Sequence, residues 1–176
     1  GDSTGFLETL DTSAQAMASL FAIDENVAID IFNSPLVIDS TTTSLKSQEE
    51  AVHHRAALEA FAAKLHQMSQ LSGSLTTDTL IKRLARDFQS DGVIDGTDNG
   101  TPIEGIDTAI LNQDAMKLPI PNTSYTVAEI ADLMEAERVP MGNAASPEFK
   151  SESIMLPVSG QTNVVETSAS TSDPVE

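Results

Sequence analysis

Residues Ser47–Leu71 read SQEEAVHHRAALEAFAAKLHQMSQL, and this stretch decides the fold. Ala51, Leu58, Phe61, Ala62, Leu65 and Met68 fall along one helical stripe, while Glu49, Glu50, Arg55, Glu59 and Lys64 are set mostly for solvent. Ser47 and Glu50 form an S-x-x-E capping box, which satisfies amide donors at the helix start. Gly73 is placed to cap the end. After a short connection, Thr76 or Thr77 opens another helix carrying Leu80, Ile81, Leu84, Ala85 and Phe88. A connection this short predicts an antiparallel helical hairpin.

Working outward, shorter patterns flank the hairpin. Asp11, Thr12 and Ser13 offer N-cap oxygens to a helix with Ala14, Met17, Leu20 and Phe21, and 26–32 reads as a second short helix stopped at Pro35. Ile106, Ala109, Ile110 and Met116 predict a helix ending before Pro119. Thr126 and Glu129 form a second capping box, opening a helix with Val127, Ile130, Leu133 and Met134. After Pro140 the composition turns to Ser, Thr, Pro and Gly, with Ile154–Leu156 and Val164–Val165 as candidate short strands. The expected fold is mainly α: an irregular helical bundle built around an antiparallel helical hairpin, with a helical domain over 1–139 and a loop-rich C-terminal segment or linker over 140–176.

Composition supports that class and narrows the function. Aromatics are 4% with no Trp, so the core must come from Leu, Ile, Val, Ala, Met and a few Phe, which suits packed helices. Asp and Glu total 27 against 9 Lys and Arg, a formal net charge of −18. That balance argues against nucleic acid and anionic membrane surfaces as partners. With no cysteine, disulfides and thiolate chemistry are excluded. No apolar run approaches the roughly 20 residues of a membrane span. The start at Gly1-Asp2-Ser3-Thr4-Gly5 reads as that of a mature, exported chain.

The chemically specific stretch is acidic. Asp87-Phe88-Gln89-Ser90-Asp91-Gly92-Val93-Ile94-Asp95-Gly96-Thr97-Asp98 aligns with a twelve-residue calcium loop. Asp87, Gln89, Asp91, the Val93 carbonyl, Asp95 and Asp98 occupy the ligand positions, Gly92 the sharp turn, and Ile94 the apolar anchor. Calcium wants ~6–8 oxygens, and alternate residues of a tight loop can aim oxygens at one centre. Four carboxylates in twelve residues repel one another until a divalent cation relieves them. The upstream helix is expected to end at Asp87, the first ligand. Asp98 stands where Glu is usual, no second loop exists, and Asn99-Gly100-Thr101-Pro102 displaces the exiting helix. The plain alternative is an acidic turn that holds itself together without metal.

Other candidates are weaker. His53 and His54 point about 100° apart on a helix and are expected to lie on a solvated face, with His66 alone at its edge. No nucleophile elbow, phosphate loop or H-E-x-x-H motif is present. Met17, Met68, Met116 and Met134 fall on apolar stripes and read as core.

The segments ASLFAID, NVAIDIFNSPLVIDST and LIKRLARDFQSDGVIDGTDNGTPI, in this order around a long Ala-rich helix, resemble a helical module of large bacterial surface proteins and lipoproteins. The resemblance spans roughly 12–118, and the acidic loop is more like a dockerin-type loop than a calmodulin pair. It implies an exported chain (extracellular, cell-surface or periplasmic), a structural role and neighbouring domains of a larger surface protein as partners. The expected function is a non-enzymatic, calcium-stabilised structural or interaction module. The alternatives are a dockerin-like protein-binding module, or a hydrolase whose carboxylates assemble only in the fold.

Overall fold

In the computed structural model the described residues are 30, 33–142, 149, 151–154 and 156. The helix that dominates the sequence dominates the structure: α1 runs Leu45–Ser72. Its cap lies one turn earlier than the S-x-x-E pattern placed it. Ser44 is the N-cap, accepting from the Ser47 backbone N–H while the Ser47 hydroxyl oxygen accepts from the Ser44 N–H. A Ser at the third helical position thus does what a Glu or Gln usually does. Glu50 instead pairs with Lys46 at 3.4 Å on the exposed surface. Gly73 closes the helix in the left-handed conformation, as expected.

Three residues separate Gly73 from the second helix, α2, at Thr77–Asp91, which is N-capped by Thr76. Leu65 and Met68 of α1 pack against Leu80 and Leu84 of α2, the antiparallel hairpin the sequence predicted. This cluster is completed by Ile106 and Ile110, the latter on the short helix α3 (Thr108–Leu111). Asp107 caps α3, and the Lys64 ammonium donates to the Leu111 carbonyl at 2.6 Å, satisfying an end of α3 from across the hairpin. Burial pushes the Lys64 amine below its ordinary value, partly offset by Asp114.

The other half of α1 serves a second cluster. Ala51, Val52, Ala56, Ala60 and Ala63 meet Met116, Leu118, Ile120, Val127, Ile130, Leu133 and Met134. The last three lie on α4 (Ile130–Arg138), entered through a 3₁₀ turn at Val127–Glu129. The small Ala side chains of α1 let α4 approach closely, so the larger residues of α4 and the 116–127 stretch fill the space. Arg55 bridges the two helices, bonding Glu59 at 2.8 Å and Glu137 at 3.3 Å. The Thr126–Glu129 capping box forms as expected, with the Glu129 carboxylate accepting from the Thr126 N–H and hydroxyl.

Several expectations are modified. Leu58 and Ala62 are exposed rather than core, whereas Gln48 and His54 are buried. His54 is not on a solvated face, because its Nδ1 is 3.0 Å from the Ser34 carbonyl and anchors the chain entering α1. The helix predicted from Ile106 to Met116 splits into α3 and a 3₁₀ turn at Ala115–Lys117, because Asp107 and Asp114 each cap a new start. Phe149 and Ile154 join the α1–α4 core, so chain beyond residue 139 contributes to the same packing. Ile154 follows a 3₁₀ turn at Ser151–Ser153 rather than sitting in a strand. The helix expected after Asp11, all of the one expected over 26–32 except Asp30, the Val164–Val165 strand and Met17 lie outside the described residues.

Candidate metal centre

Where α2 stops determines the acidic segment. The helix does not end at Asp87. It continues to Asp91, and Gly92 caps it with φ +82 and an N–H bond to the Phe88 carbonyl at 2.9 Å. Helical geometry carries through because Phe88 packs partly inward and nothing before Gly92 breaks the ladder. Asp87 and Asp91 are consequently one helical turn apart on the same face. Gln89, about 200° around the helix from Asp87, is exposed on the opposite side.

After Gly92 the chain folds back through two Asx-type turns. The Asp91 carboxylate accepts from the Val93 N–H at 2.9 Å, and the Asp95 carboxylate accepts from the Thr97 N–H and hydroxyl, both at 2.8 Å. A β-hairpin stands where an exiting helix would be: β1 (Thr97–Asp98) pairs with β2 (Thr101–Pro102), Asp98 opposite Thr101. Asn99 (φ 49) and Gly100 (φ 80) make its two-residue turn, both in the positive-φ region such turns need. Ile94 is half-buried against the Leu80–Leu84 cluster, the anchoring role its position implied.

Asp87 is the centre of this arrangement. Its residue surface is 0% exposed. One carboxylate oxygen, Oδ2, accepts from the Gly96 N–H at 2.8 Å, tying α2 to the start of the hairpin. The other, Oδ1, is buried without a hydrogen-bond partner. Burial pushes its carboxyl above the ordinary value; the amides of Gly96 and Asp95 oppose this, and the Asp95 and Asp91 carboxylates add to it. Gly96 completes the tie: its carbonyl accepts from Ile103 N–H at 2.9 Å.

The expected ligand set is therefore divided. Asp87, Asp91 and Asp95 lie in one electrostatic neighbourhood. Gln89 faces away, Val93 is exposed, and Asp98 sits on the hairpin with its Oδ1 accepting from the Asn99 side-chain amide at 2.9 Å. Among the described residues no three acidic or histidine side chains already surround a common point. The orphaned, buried Asp87 oxygen beside two further carboxylates fits a hard cation; the positions of Gln89 and Asp98 do not. Sequence reading missed Gly96 as the amide partner of Asp87, although the Asp-Gly pairs at 91–92 and 95–96 mark the turns that deliver it. Comparison with protein-family profiles, with curated proteins and with solved structures returns no match for this chain.

Proposed function

We propose that the chain is a non-enzymatic structural or interaction module of an exported bacterial surface protein, stabilised by calcium at the acidic turn that follows α2. The observation that carries this reading is the Asp87 carboxylate, fully buried with one oxygen unpaired and two acidic neighbours. An unmatched buried oxygen is costly, and a bound cation is one partner that would relieve both it and the repulsion. Calcium would then fix the angle between the helical hairpin and the β1–β2 hairpin, a rigidifying rather than a chemical role. A small cavity beside α4 measures about 10 Å³, near the size of one water. Its lining carries one carboxylate, Glu137, already engaged by Arg55.

No described helix is long and apolar enough to cross a membrane.

A dockerin-like binding module is favoured by one feature: Ile81 and Ala85 are exposed on the outer face of α2 next to Lys82 and Arg86. If that face recognises a protein, Ile81→Asp abolishes capture of the partner while leaving stability within about 0.5 kcal/mol of the parent.

Isothermal calorimetry with calcium tests the first reading. Saturable binding to the parent, lost when Asp91 and Asp95 are both changed to Ala, is the expected result. No heat up to ~10 mM, above the weak range of extracellular modules, would sink it.

A further inference from the structure

The geometry points to a cation site at the C-terminal end of α2 made by Asp87, Asp91 and Asp95 alone, a helix-end site rather than an alternating twelve-residue loop. This inference rests on the calcium reading above and specifies which residues serve it.

Four observations converge on that end of the helix. Asp87 is fully buried and its Oδ1 has no hydrogen-bond partner, so a polar group already desolvated lacks a counterpart. Asp91 lies one turn on along the same face, and like charges at that spacing destabilise a helix. Asp95 returns beside them through the Gly92–Gly96 turn, close enough to raise the Asp87 carboxyl further. Finally, the helix end itself carries partial negative charge, and the last turn of α2 holds no basic residue to offset it. Three carboxylates near the negative end of a dipole repel one another, and a cation among them would relieve that repulsion.

The free lone pairs are in the right hands. Asp91 and Asp95 each spend Oδ1 on a turn hydrogen bond and leave Oδ2 without one among the described residues. Asp87 leaves Oδ1. One oxygen from each is available while the turns stay intact, with water completing a coordination shell of ~6–8 oxygens. Among the described residues the three carboxylates do not surround a common point, so binding would bring the exposed Asp91 and Asp95 side chains toward Asp87. Gln89 would reach the same point only if the last turn of α2 unwound.

The test is calorimetry with calcium chloride on the full chain, using five single variants. Asp87→Asn, Asp91→Asn and Asp95→Asn are each expected to weaken binding by about tenfold or more, since site charge sets affinity at such sites. Gln89→Ala and Asp98→Asn are expected to stay within about twofold of the parent. Asp91 and Asp95 are exposed, so their variants keep the test decisive even where Asp87→Asn fails to fold. A parent that binds, with Gln89→Ala or Asp98→Asn weakened as much as Asp91→Asn, overturns the helix-end site and restores the alternating loop. A parent that does not bind overturns the calcium reading itself, and this site with it.

Discussion

Gly96→Ala tests whether the turn after α2 is as tightly built as its contacts imply. Gly96 has φ +85, and a Cβ there would lie 2.9 Å from the Thr108 methyl and 3.2 Å from the Ile106 Cγ2. The left-handed backbone alone costs a non-glycine residue about 1–2 kcal/mol. Forcing the Thr108 and Ile106 side chains aside adds about 1–3 kcal/mol of overpacking strain. The expected loss is thus about 2–5 kcal/mol. Gly100 supplies the control, with φ +80 but nothing within 4 Å of its Cβ position. Gly100→Ala should cost only the backbone share, about 1–2 kcal/mol. Urea unfolding with calcium chelated, followed by far-ultraviolet circular dichroism, compares the two at equal m-value. If Gly96→Ala costs no more than Gly100→Ala, the close packing of the turn against α3 is refuted.

Other outcomes follow from the same structure. Ser44→Ala should lose about 0.5–2 kcal/mol of cap energy, whereas Glu50→Ala should be close to neutral, which urea unfolding would distinguish. A chain ending at Val139 loses the burial of Phe149 and Ile154, about 3–6 kcal/mol by the usual side-chain values, which chemical unfolding would read out. The Glu129 carboxyl is held below its ordinary 4.5 by the Thr126 amide and hydroxyl. That contribution is complete above 4.5 and is lost as pH falls through the lower folded value, so Glu129→Gln should flatten the acid limb of the stability curve. Asp87 has the opposite sign: its folded value is raised by burial, so without calcium its ionisation costs stability above that value. The cost recedes as pH falls toward the ordinary carboxylate range, and a pH series of melts in chelator reads it out.

The hairpin of α1 and α2 was legible because periodicity and caps agreed: Gly73 and Thr76 bracket the turn, and the apolar faces of Leu65–Met68 and Leu80–Leu84 are self-consistent. The Ser44 cap was not, since Ser47 is itself a good N-cap residue and only the observed geometry assigns it to the third helical position. His54 was misplaced because neighbouring residues of a helix point to different sides, and the Ser34 carbonyl that holds its ring comes from 20 residues away. At the acidic segment, the sequence pattern drew attention to the acidic residues but not to their arrangement. The alternation of oxygens suggested a loop, yet Asp87–Asp91 has no helix breaker before Gly92, so with Leu84 packed in the core below it α2 runs onward. The Asn99-Gly100 pair is a strong hairpin signal in its own right, and its two-residue turn is what replaces the exiting helix.

Thermal unfolding of the full chain in chelator and in ~10 mM calcium chloride tests the central claim most directly. With affinity in the ~10⁻⁴–10⁻³ M range, ligand linkage at that concentration gives about 1.4–2.7 kcal/mol. For a chain of this size the midpoint should rise by about 3–10 °C, with magnesium at equal concentration giving less. An unchanged midpoint would contradict a calcium-stabilised module and leave the Asp87–Pro102 segment as a turn held by its own hydrogen bonds.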